Sequence, residues 1–322
     1  MASFSPKIQR FPYEAINPHR PQLNQKGRTV IVTGGSSGIG YAISRAFAQA
    51  SADRVIIVGR RAAAVTEAAA SLSAELPSYQ GKIDGRVCDI ASLESIEHLW
   101  KSLEEEGITV DIVVLNAASF SVERPVLEIG VETLLEDYTI NVLASYRFAQ
   151  LLSKEKPGSK KVIDNFATLH QNNQADDVLF QYLINVSTMA IYNPDAASTN
   201  LNYGASKNAA ALLLQLLTRN VSTDEIQVLS YHPGAVLTQT AREHGYDENT
   251  LPWTDVNVPG QFAVWASSDE AKFLHGRFVH SNWDVTELQS GAARGLIDED
   301  PDFLKIGVKG LGSSTLSWEE TT

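Results

Sequence analysis

Short runs of Val, Ile and Leu alternate with segments of helical periodicity along most of the chain. The runs are apolar at nearly every position, which is typical of strands buried on both faces of a parallel sheet. Six runs fit this description: RTVIVT, DRVIIV, VDIVVL, YLINVS, IQVLSY and GRFVHS. A seventh run, GRVCDI, is more polar and lies between DRVIIV and VDIVVL. Helical segments, including residues 131–153 and 203–219, separate most of the runs. The pattern predicts an α/β fold with a doubly wound parallel sheet of about seven strands, helices on both faces, and a single domain.

Three segments lie outside this alternation. Residues 1–26 are polar and carry four prolines, so we expect an extended arm rather than a packed element. Residues 155–181 join a helix to a strand and are several times longer than the usual connection of ~2–6 residues. This segment is either a surface insertion near the site or an artefact of the gene model. Residues 291–322 form a C-terminal extension without a clear pattern. The predicted domain therefore spans residues 27–290.

Composition limits the classes of partner and compartment. The 322 residues carry a net charge of −12, which argues against nucleic acid and anionic membranes as partners. The N-terminus shows no apolar leader, and no run approaches the ~20 apolar residues of a membrane helix, so we expect a cytoplasmic protein. Cys88 is the only cysteine, which excludes an intrachain disulfide. We predict no metal site.

The segment TGGSSGIG lies between the first apolar run and the first helix. Glycines let the backbone approach a phosphate closely, and the free amides that open a helix point at its charge. The strand–loop–helix context therefore predicts dinucleotide binding, whereas the alternative is an unliganded tight turn. The predicted cofactor contacts in this loop are Gly34, Ser36, Ser37, Gly38, Ile39 and Gly40.

The end of the second run indicates which dinucleotide binds. An acidic residue there would bond the ribose 2′-hydroxyl of NAD, but the chain has Gly59 followed by Arg60 and Arg61. A guanidinium suits a 2′-phosphate, so Arg60 predicts NADP (NADPH) as the cofactor. The alternative is that both arginines are solvated surface residues.

The segment LNYGASKNAA places Tyr203 and Lys207 one helical turn apart, so both side chains leave the same helix face. A phenol beside an ammonium can perform proton chemistry, because a nearby cation favours the phenolate. By itself the pair could equally be a packed aromatic beside a solvated amine.

Together these motifs resemble the short-chain dehydrogenase/reductase family over residues 27–285. TGGSSGIG looks like the family's cofactor loop, and Asn116–Ala118 (NAA) looks like its NAG motif with alanine in place of glycine. The resemblance implies a Rossmann-type fold and an NADP-dependent oxidoreductase acting on a ketone or secondary alcohol. The other matching motifs follow in the family's order: TINVL with Asn141, NVST with Ser187, YGASK with Tyr203 and Lys207, and HPGAVLT with Pro233, Gly234, Val236 and Thr238.

The resemblance implies a catalytic role for four residues. Tyr203 is the general acid and base, while Lys207 holds the nicotinamide ribose and, together with the positive nicotinamide of the oxidised cofactor, lowers the pKa of the Tyr203 hydroxyl. Ser187 bonds the substrate oxygen. Asn141 holds a water that links Lys207 to solvent. Ser198 is a rival for the serine role, but Ser187 ends a buried strand that can fix its geometry.

The resemblance also implies cofactor contacts beyond the glycine loop and Arg60: Asp89, Ile90, Asn116, Tyr203, Lys207, Pro233, Gly234, Val236 and Thr238. Thr238 bonds the carboxamide of the nicotinamide, and Asp89 and Ile90 flank the adenine. For Asn116 we expect a bridge between strands, and for His232 packing or a backbone hydrogen bond.

Other functions remain open at this stage. A dinucleotide-sensing regulator without catalysis should lack the Tyr203–Lys207 pair, and an epimerase or dehydratase usually needs more chain after Thr238 than this sequence has. An NAD-dependent alcohol dehydrogenase remains if Arg60 is only a surface residue. The arm and the GRFVHSNWDVTEL segment are similar to fungal reductases that tailor secondary metabolites. We therefore expect a bulky apolar carbonyl or alcohol as the small-molecule substrate, under a lid at residues 239–258. Because family members are commonly dimers or tetramers, a homo-oligomer is also open.

Overall fold

Seven parallel strands form one sheet in the part of the chain that the structure describes. The computed structural model describes residues 6–120, 125–155, 180–193, 195 and 200–308. The strands are β1 (Thr29–Thr33), β2 (Arg54–Gly59), β3 (Lys82–Val87), β4 (Ile112–Leu115), β5 (Gln181–Val186), β6 (Ile226–His232) and β7 (Phe278–His280). Their order across the sheet is β3-β2-β1-β4-β5-β6-β7. The order reverses between β1 and β4, and ligands of doubly wound folds bind at the carboxyl ends of the strands beside such a point.

Helices cover both faces of this sheet, which confirms the predicted fold class. The helices in the described part of the chain are α1 (Gly38–Gln49), α2 (Ala62–Glu75), α3 (Leu93–Glu105), α4 (Val131–Tyr138), α5 (Ala144–Leu152), α6 (Leu201–Leu217), α7 (Gln239–Glu243), α8 (Asn257–Ala266), α9 (Val285–Ser290) and α10 (Ala292–Glu299). The predicted helix over 131–153 is α4 and α5 joined by a π-helical turn at Thr139–Leu143.

Each face of the sheet has its own apolar core. Phe47 of α1 and Trp265 of α8 are fully buried on one face, together with Tyr231 of β6. Phe148 of α5 and Leu183 of β5 are buried on the other, beneath α3, α5 and α6. Because the central strands are enclosed on both sides, their sequences are continuously apolar rather than alternating, whereas the edge strand β3 is more polar and only partly buried.

The N-terminal segment is packed, contrary to the expectation of an extended, unpacked arm. Ile16 and Leu23 are fully buried in the core that α1 and α8 share. Ile8 forms an antiparallel bridge with Trp283, and Arg20 pairs with Glu270. Two buried side chains in a polar, proline-containing segment produce no periodic signal, so the sequence pattern did not reveal this packing.

The described part of the C-terminal extension also packs on the domain. Ala293 and Ile297 of α10 are buried. The Phe278 amide at the start of β7 donates to the Leu304 carbonyl at 2.8 Å. No physical boundary therefore separates residues 291–308 from the predicted domain.

The predicted insertion leaves and rejoins the fold at one place. The side-chain amide of Gln181 donates to the carbonyl of Leu152 at 3.0 Å, so the end of α5 lies against the start of β5. Since β5 begins at Gln181, the last residue of the predicted 155–181 segment belongs to the sheet. Residues 156–179 lie outside the described residues, and both interpretations of them remain open.

Candidate active site

The predicted cofactor loop occupies the carboxyl edge of the sheet between β1 and α1. The Gly34 amide donates to the Val58 carbonyl at 2.8 Å, which ties the loop to β2. Gly38 has a φ of +53°, a conformation that favours glycine. A Cβ on Gly40 would collide with the Gly34 carbonyl and lie 2.6 Å from Nδ2 of Asn116. Ser37 makes no side-chain capping bond, so the first amides of α1 are available to an anion.

The end of β2 lies against this loop. A Cβ on Gly59 would lie 3.8 Å from Oγ of Ser36, so a larger side chain there would reach the loop. Arg60 and Arg61 follow directly and are exposed. Neither guanidinium forms an ion pair or hydrogen bond with the residues that the structure describes, and both are free to meet an added phosphate.

The predicted adenine contacts follow β3. Asp89 is exposed, and its carboxylate accepts a hydrogen bond from the Ala91 amide at 3.1 Å. Ile90 is partly buried and packs against the core beneath α3. Both residues therefore lie at the carboxyl edge of the sheet, beyond β3.

Asn116 joins the ends of β1 and β4. Its side-chain Nδ2 donates to the carbonyls of Thr33 at 3.0 Å and Gly34 at 3.3 Å. The Thr33 hydroxyl in turn accepts from the backbone amides of Asn116 and Ala117. These bonds fix the start of the glycine loop against β4.

Asn141 lies in the π-helical turn between α4 and α5 and is buried. Its side chain accepts from the Ser119 amide at 2.9 Å and donates to the Ser119 carbonyl at 3.1 Å and to Oγ of Ser206 at 2.9 Å. The Ser206 hydroxyl then donates to the Tyr203 carbonyl at 3.1 Å. Asn141 therefore connects the loop after β4 to the turn of α6 that carries Tyr203. Single π-turns often occur at functional sites.

The first two turns of α6 carry Tyr203 and Lys207. Asn200 caps the helix by accepting from the Tyr203 amide at 3.1 Å. Lys207 is buried, and its ammonium donates to the carbonyl of Val186 at the end of β5 at 2.7 Å. Tyr203 is only partly buried. The ammonium is thus anchored to the sheet one turn after Tyr203.

Burial dominates the electrostatics of this pair. It lowers the pKa of Lys207 from 10.5 to about 8 and raises the pKa of Tyr203 from 10.0 to about 12. In the protein alone the loss of hydration opposes the phenolate, so the expectation that Lys207 and the oxidised nicotinamide together lower the Tyr203 pKa stays a prediction. A further positive charge is needed beside Tyr203 to favour ionisation.

Ser187 directly follows β5 and is buried. Its amide donates to the Tyr231 carbonyl at 2.7 Å, which extends the pairing with β6. Its hydroxyl oxygen is enclosed without a hydrogen-bond partner among the described residues. A buried hydroxyl left unpaired is costly, and a substrate oxygen could pair with it. Ser198, the rival candidate, lies outside the described residues.

The segment after β6 lies beside the glycine loop. Gly234 is buried with a φ of +85°, and the amide of Thr254 donates to the Ala235 carbonyl at 2.6 Å. Pro233 and Val236 are partly buried in the same segment. The Thr238 hydroxyl caps α7, and its methyl group would lie 3.5 Å from a Cβ on Gly38. The predicted lid therefore begins directly over the glycine loop.

Sequence reasoning missed an aromatic contact on Tyr203. The Phe120 ring lies 4.9 Å from the Tyr203 ring, and the His244 ring at the end of α7 packs edge-on against Phe120 at 5.3 Å. Phe120 connects the loop after β4 to the lid across Tyr203. The only sequence feature that could have indicated this contact is the position of Phe120, four residues after Asn116 in the loop that follows β4.

The residues present fit a nicotinamide dinucleotide. Uncapped amides at the start of α1 and a loop with no room for a side chain at Gly40 suit a pyrophosphate. The free guanidinium of Arg60 suits a phosphate at the ribose beyond β2. Among the described residues we found no group of three His, Cys, Asp or Glu side chains that could hold a metal ion. The described helices also include none long and apolar enough to cross a membrane.

Comparisons with known proteins agree with this geometry. A family model described as short chain dehydrogenase matches residues 28–164. The short chain dehydrogenase/reductase AacuD of Aspergillus aculeatus is 33% identical over 297 residues, which cover 92% of this chain and 93% of AacuD. A short chain dehydrogenase/reductase of Claviceps purpurea is 32% identical over 299 residues, which cover 92% of this chain and 91% of that protein.

A solved structure shows the same fold. It is a putative NAD(P)-dependent gluconate 5-dehydrogenase from Beutenbergia cavernae with bound NADP, 25% identical with a TM-score of 0.65. The match covers 84% of this chain and 100% of that one. These similarities confirm what the motifs predicted: the chain belongs to the short-chain dehydrogenase/reductase family.

Proposed function

We propose that this protein is an NADP-dependent oxidoreductase that interconverts a ketone and a secondary alcohol, with Tyr203 as the general acid and base. The observation that carries the proposal is the arrangement at the start of α6. Lys207 is buried and bonded to Val186, the residue before Ser187, while Tyr203 precedes Lys207 by one turn of the same helix. We expect a proton donor, a buried cation and a substrate-binding hydroxyl to act together near the carboxyl end of β5.

The chain's own residues supply the proton chemistry. NADPH, when bound, supplies the hydride. Tyr203 gives its phenolic proton to the carbonyl oxygen of the ketone, which thereby becomes the alcohol oxygen. Ser187 donates its hydroxyl hydrogen to the same oxygen and stabilises the charge that develops there. In the reverse direction the Tyr203 phenolate accepts the hydroxyl proton of the alcohol.

Lys207 and Asn141 support the Tyr203 phenolate in this proposal. With burial raising the tyrosine pKa to about 12, the phenolate needs positive charge nearby. Lys207 in its charged form and the oxidised nicotinamide together provide that charge. Asn141 holds the Tyr203 turn through Ser206, and its role in holding a water stays a prediction.

The choice of NADP over NAD rests on Arg60. Gly59 stands where an acidic residue would contact a ribose hydroxyl, and the free Arg60 guanidinium follows it. The bulky apolar substrate fits the aromatic contact of Phe120 with Tyr203 beneath the lid. A cytoplasmic location and a homo-oligomer remain predictions.

Fluorescence titration with NADPH and NADH tests the cofactor assignment. Since a hydrogen bond to a charged group contributes about 1.5–3 kcal/mol, Arg60→Ala should weaken NADPH binding by about 10- to 100-fold. NADH affinity should not change. Arg219→Ala, which removes an exposed arginine at the far end of α6, is the matched control and should alter neither affinity.

Turnover tests the chemistry separately. NADPH oxidation with a panel of ketones should give activity that Tyr203→Phe reduces by about 10²- to 10⁴-fold, the usual contribution of a general acid. Equal binding of NADH and NADPH would reject the NADP assignment but not the oxidoreductase. Nucleotide binding without any turnover that depends on Tyr203 would instead favour the non-catalytic regulator.

A further inference from the structure

A row of three side chains crosses the carboxyl ends of β5, β6 and β7: Ser187, His232 and His280. Asn185 of β5 donates to the Ser230 hydroxyl of β6 at 3.0 Å, so these side chains share one face of the sheet. Two residues further along each strand, Ser187 and His232 must lie on that same face, because side chains alternate. His232 is in register with His280 of β7. Phe278, two residues before His280, packs with Ala211, so the row faces α6, the helix of Tyr203.

His232 carries unused hydrogen-bonding groups beside Ser187. Its Nδ1 is enclosed without a partner among the described residues, as is the Ser187 hydroxyl. Neither ring nitrogen of His232 forms a hydrogen bond with the residues that the structure describes, so of the two expected roles the structure shows packing and not the backbone bond. Two neighbouring buried groups that lack partners point to a polar ligand that spans them.

His280 holds the His232 ring in place. The two rings meet edge-to-face with centroids 4.8 Å apart. His280 is itself fixed, because its Nε2 is hydrogen-bonded to the Tyr192 hydroxyl at 2.8 Å and its ring stacks on Trp283 at 4.5 Å. The N-terminal segment fixes Trp283 in turn, through the bond from the Tyr13 hydroxyl to the Trp283 carbonyl. His232 is therefore a preorganised group, as a specificity contact requires.

The charge state of the row limits what it can bind. Burial lowers the pKa of His232 to about 3 and that of His280 to about 4, so both rings are neutral at pH 7. A neutral imidazole offers one donor and one acceptor, which suits a hydroxyl or carbonyl oxygen. It offers no positive charge to compensate a carboxylate.

We propose that His232 binds a second, uncharged oxygen of the substrate while Ser187 binds the reacting carbonyl oxygen. Neighbouring strands lie about 4.8 Å apart, so the two oxygens must be close, as in a ketone with a hydroxyl or a second carbonyl on the carbon two positions away. Substrates of this class are β-hydroxy ketones, 1,3-diketones and aromatic ketones with an adjacent phenol. This inference rests on the proposed function and narrows its substrate class.

A pair of ketones that differ by one hydroxyl tests the inference. The probes are 1-tetralone and 8-hydroxy-1-tetralone, compared by kcat/KM with NADPH. The wild-type protein should favour the hydroxylated ketone by about tenfold or more, the value of one hydrogen bond. His232→Phe should bring that ratio close to one, mainly through KM, whereas His232→Asn, which keeps an amide near the Nδ1 position, should retain part of the preference.

A control variant separates this role from a structural one. His98→Phe, the same substitution at an exposed histidine of α3, should keep the wild-type ratio. A wild-type ratio near one, or an equal loss on both ketones in His232→Phe, would overturn the inference and leave the proposed function standing.

Calorimetric titration of both ketones into the protein–NADP⁺ complex provides a readout without turnover. A preference for the hydroxylated ketone that His232→Phe removes supports the inference even if Tyr203→Phe shows no catalytic role. Equal affinities for the two ketones overturn the inference. The failure of each proposal is therefore distinguishable.

Discussion

The two ends of the site are built in different ways. At the cofactor end, around β1, β2 and β4, the surface predicted to hold the pyrophosphate consists mainly of backbone: the glycine loop, the helix amides and the carbonyls that Asn116 ties together. At the substrate end, around β5, β6 and β7, the surface consists of side chains. There Ser187, His232 and His280 stand in a row that is held by Trp283.

The difference explains why the two ends behave differently under substitution. A backbone surface tolerates almost no added atoms, because nothing can rotate away. A surface of side chains can vary residue by residue, but each residue depends on a remote support, such as the N-terminal segment behind Trp283. We expect cofactor binding to be lost by substitutions within the glycine loop itself. We expect substrate binding to be weakened also by substitutions at distant residues that hold the substrate-contacting side chains in place.

Gly40→Ala should produce the largest change. Its Cβ would meet the Gly34 carbonyl, a backbone atom that cannot move without distorting the loop. We expect a loss of about 3 kcal/mol in the free energy of unfolding, measured by urea denaturation. NADPH binding should also be lost. Gly295→Ala is the matched control, because open space surrounds that position of α10, and it should be neutral or stabilising by about 0.5–1 kcal/mol. Retention of NADPH binding by Gly40→Ala would show that the loop is not a rigid cradle.

Lys207 lies between the cofactor end and the substrate end of the site. Lys207→Met should stabilise the protein by about 2 kcal/mol at pH 7. Burial lowers the lysine pKa from 10.5 to about 8, which costs about 3 kcal/mol while the group is protonated in both states. Loss of the bond to Val186 offsets about 1 kcal/mol of the gain.

The pH dependence of this gain has a definite sign. Below pH 8 both the folded and unfolded lysine are protonated, so the full cost is present. Between pH 8 and 10.5 the unfolded state binds more protons, so wild-type stability rises and the advantage of Lys207→Met shrinks. Urea denaturation at pH 7 and pH 9.5 measures this change, with Lys101→Met on the exposed face of α3 as the control. A constant difference across that range would mean that Lys207 is not held in a low-pKa environment.

The same contrast governs how much the sequence could predict. The strands and the glycine loop are specified locally, by continuous apolar runs and by glycines whose spacing has a backbone cause, so the fold class and family were predicted and confirmed. The positions of Tyr203 and Lys207 on one face of α6 also follow from spacing alone.

The supports of the substrate end could not be predicted in this way. Phe120 on Tyr203, the stack of His280 on Trp283, and the packing of Ile16 under α8 are contacts between segments distant in sequence. None leaves a periodic or motif signal. The rise of the Tyr203 pKa in the protein alone was likewise not foreseen, because the loss of hydration is not visible in the sequence.

Tyr13→Phe should produce the smallest of these changes and test the dependence on remote support. The Tyr13 hydroxyl donates to the Trp283 carbonyl at 3.2 Å and accepts from the Val285 amide at 3.0 Å. Its removal leaves that amide unpaired, so we expect a loss of about 1 kcal/mol in unfolding free energy. NADPH affinity should stay the same, while the KM for a ketone substrate should rise, because Trp283 then holds His280 less firmly. Tyr146→Phe, at an exposed tyrosine of α5, should change neither quantity. If Tyr13→Phe instead weakened NADPH binding and ketone binding equally, the two ends of the site would share one support, and the contrast between them would fail.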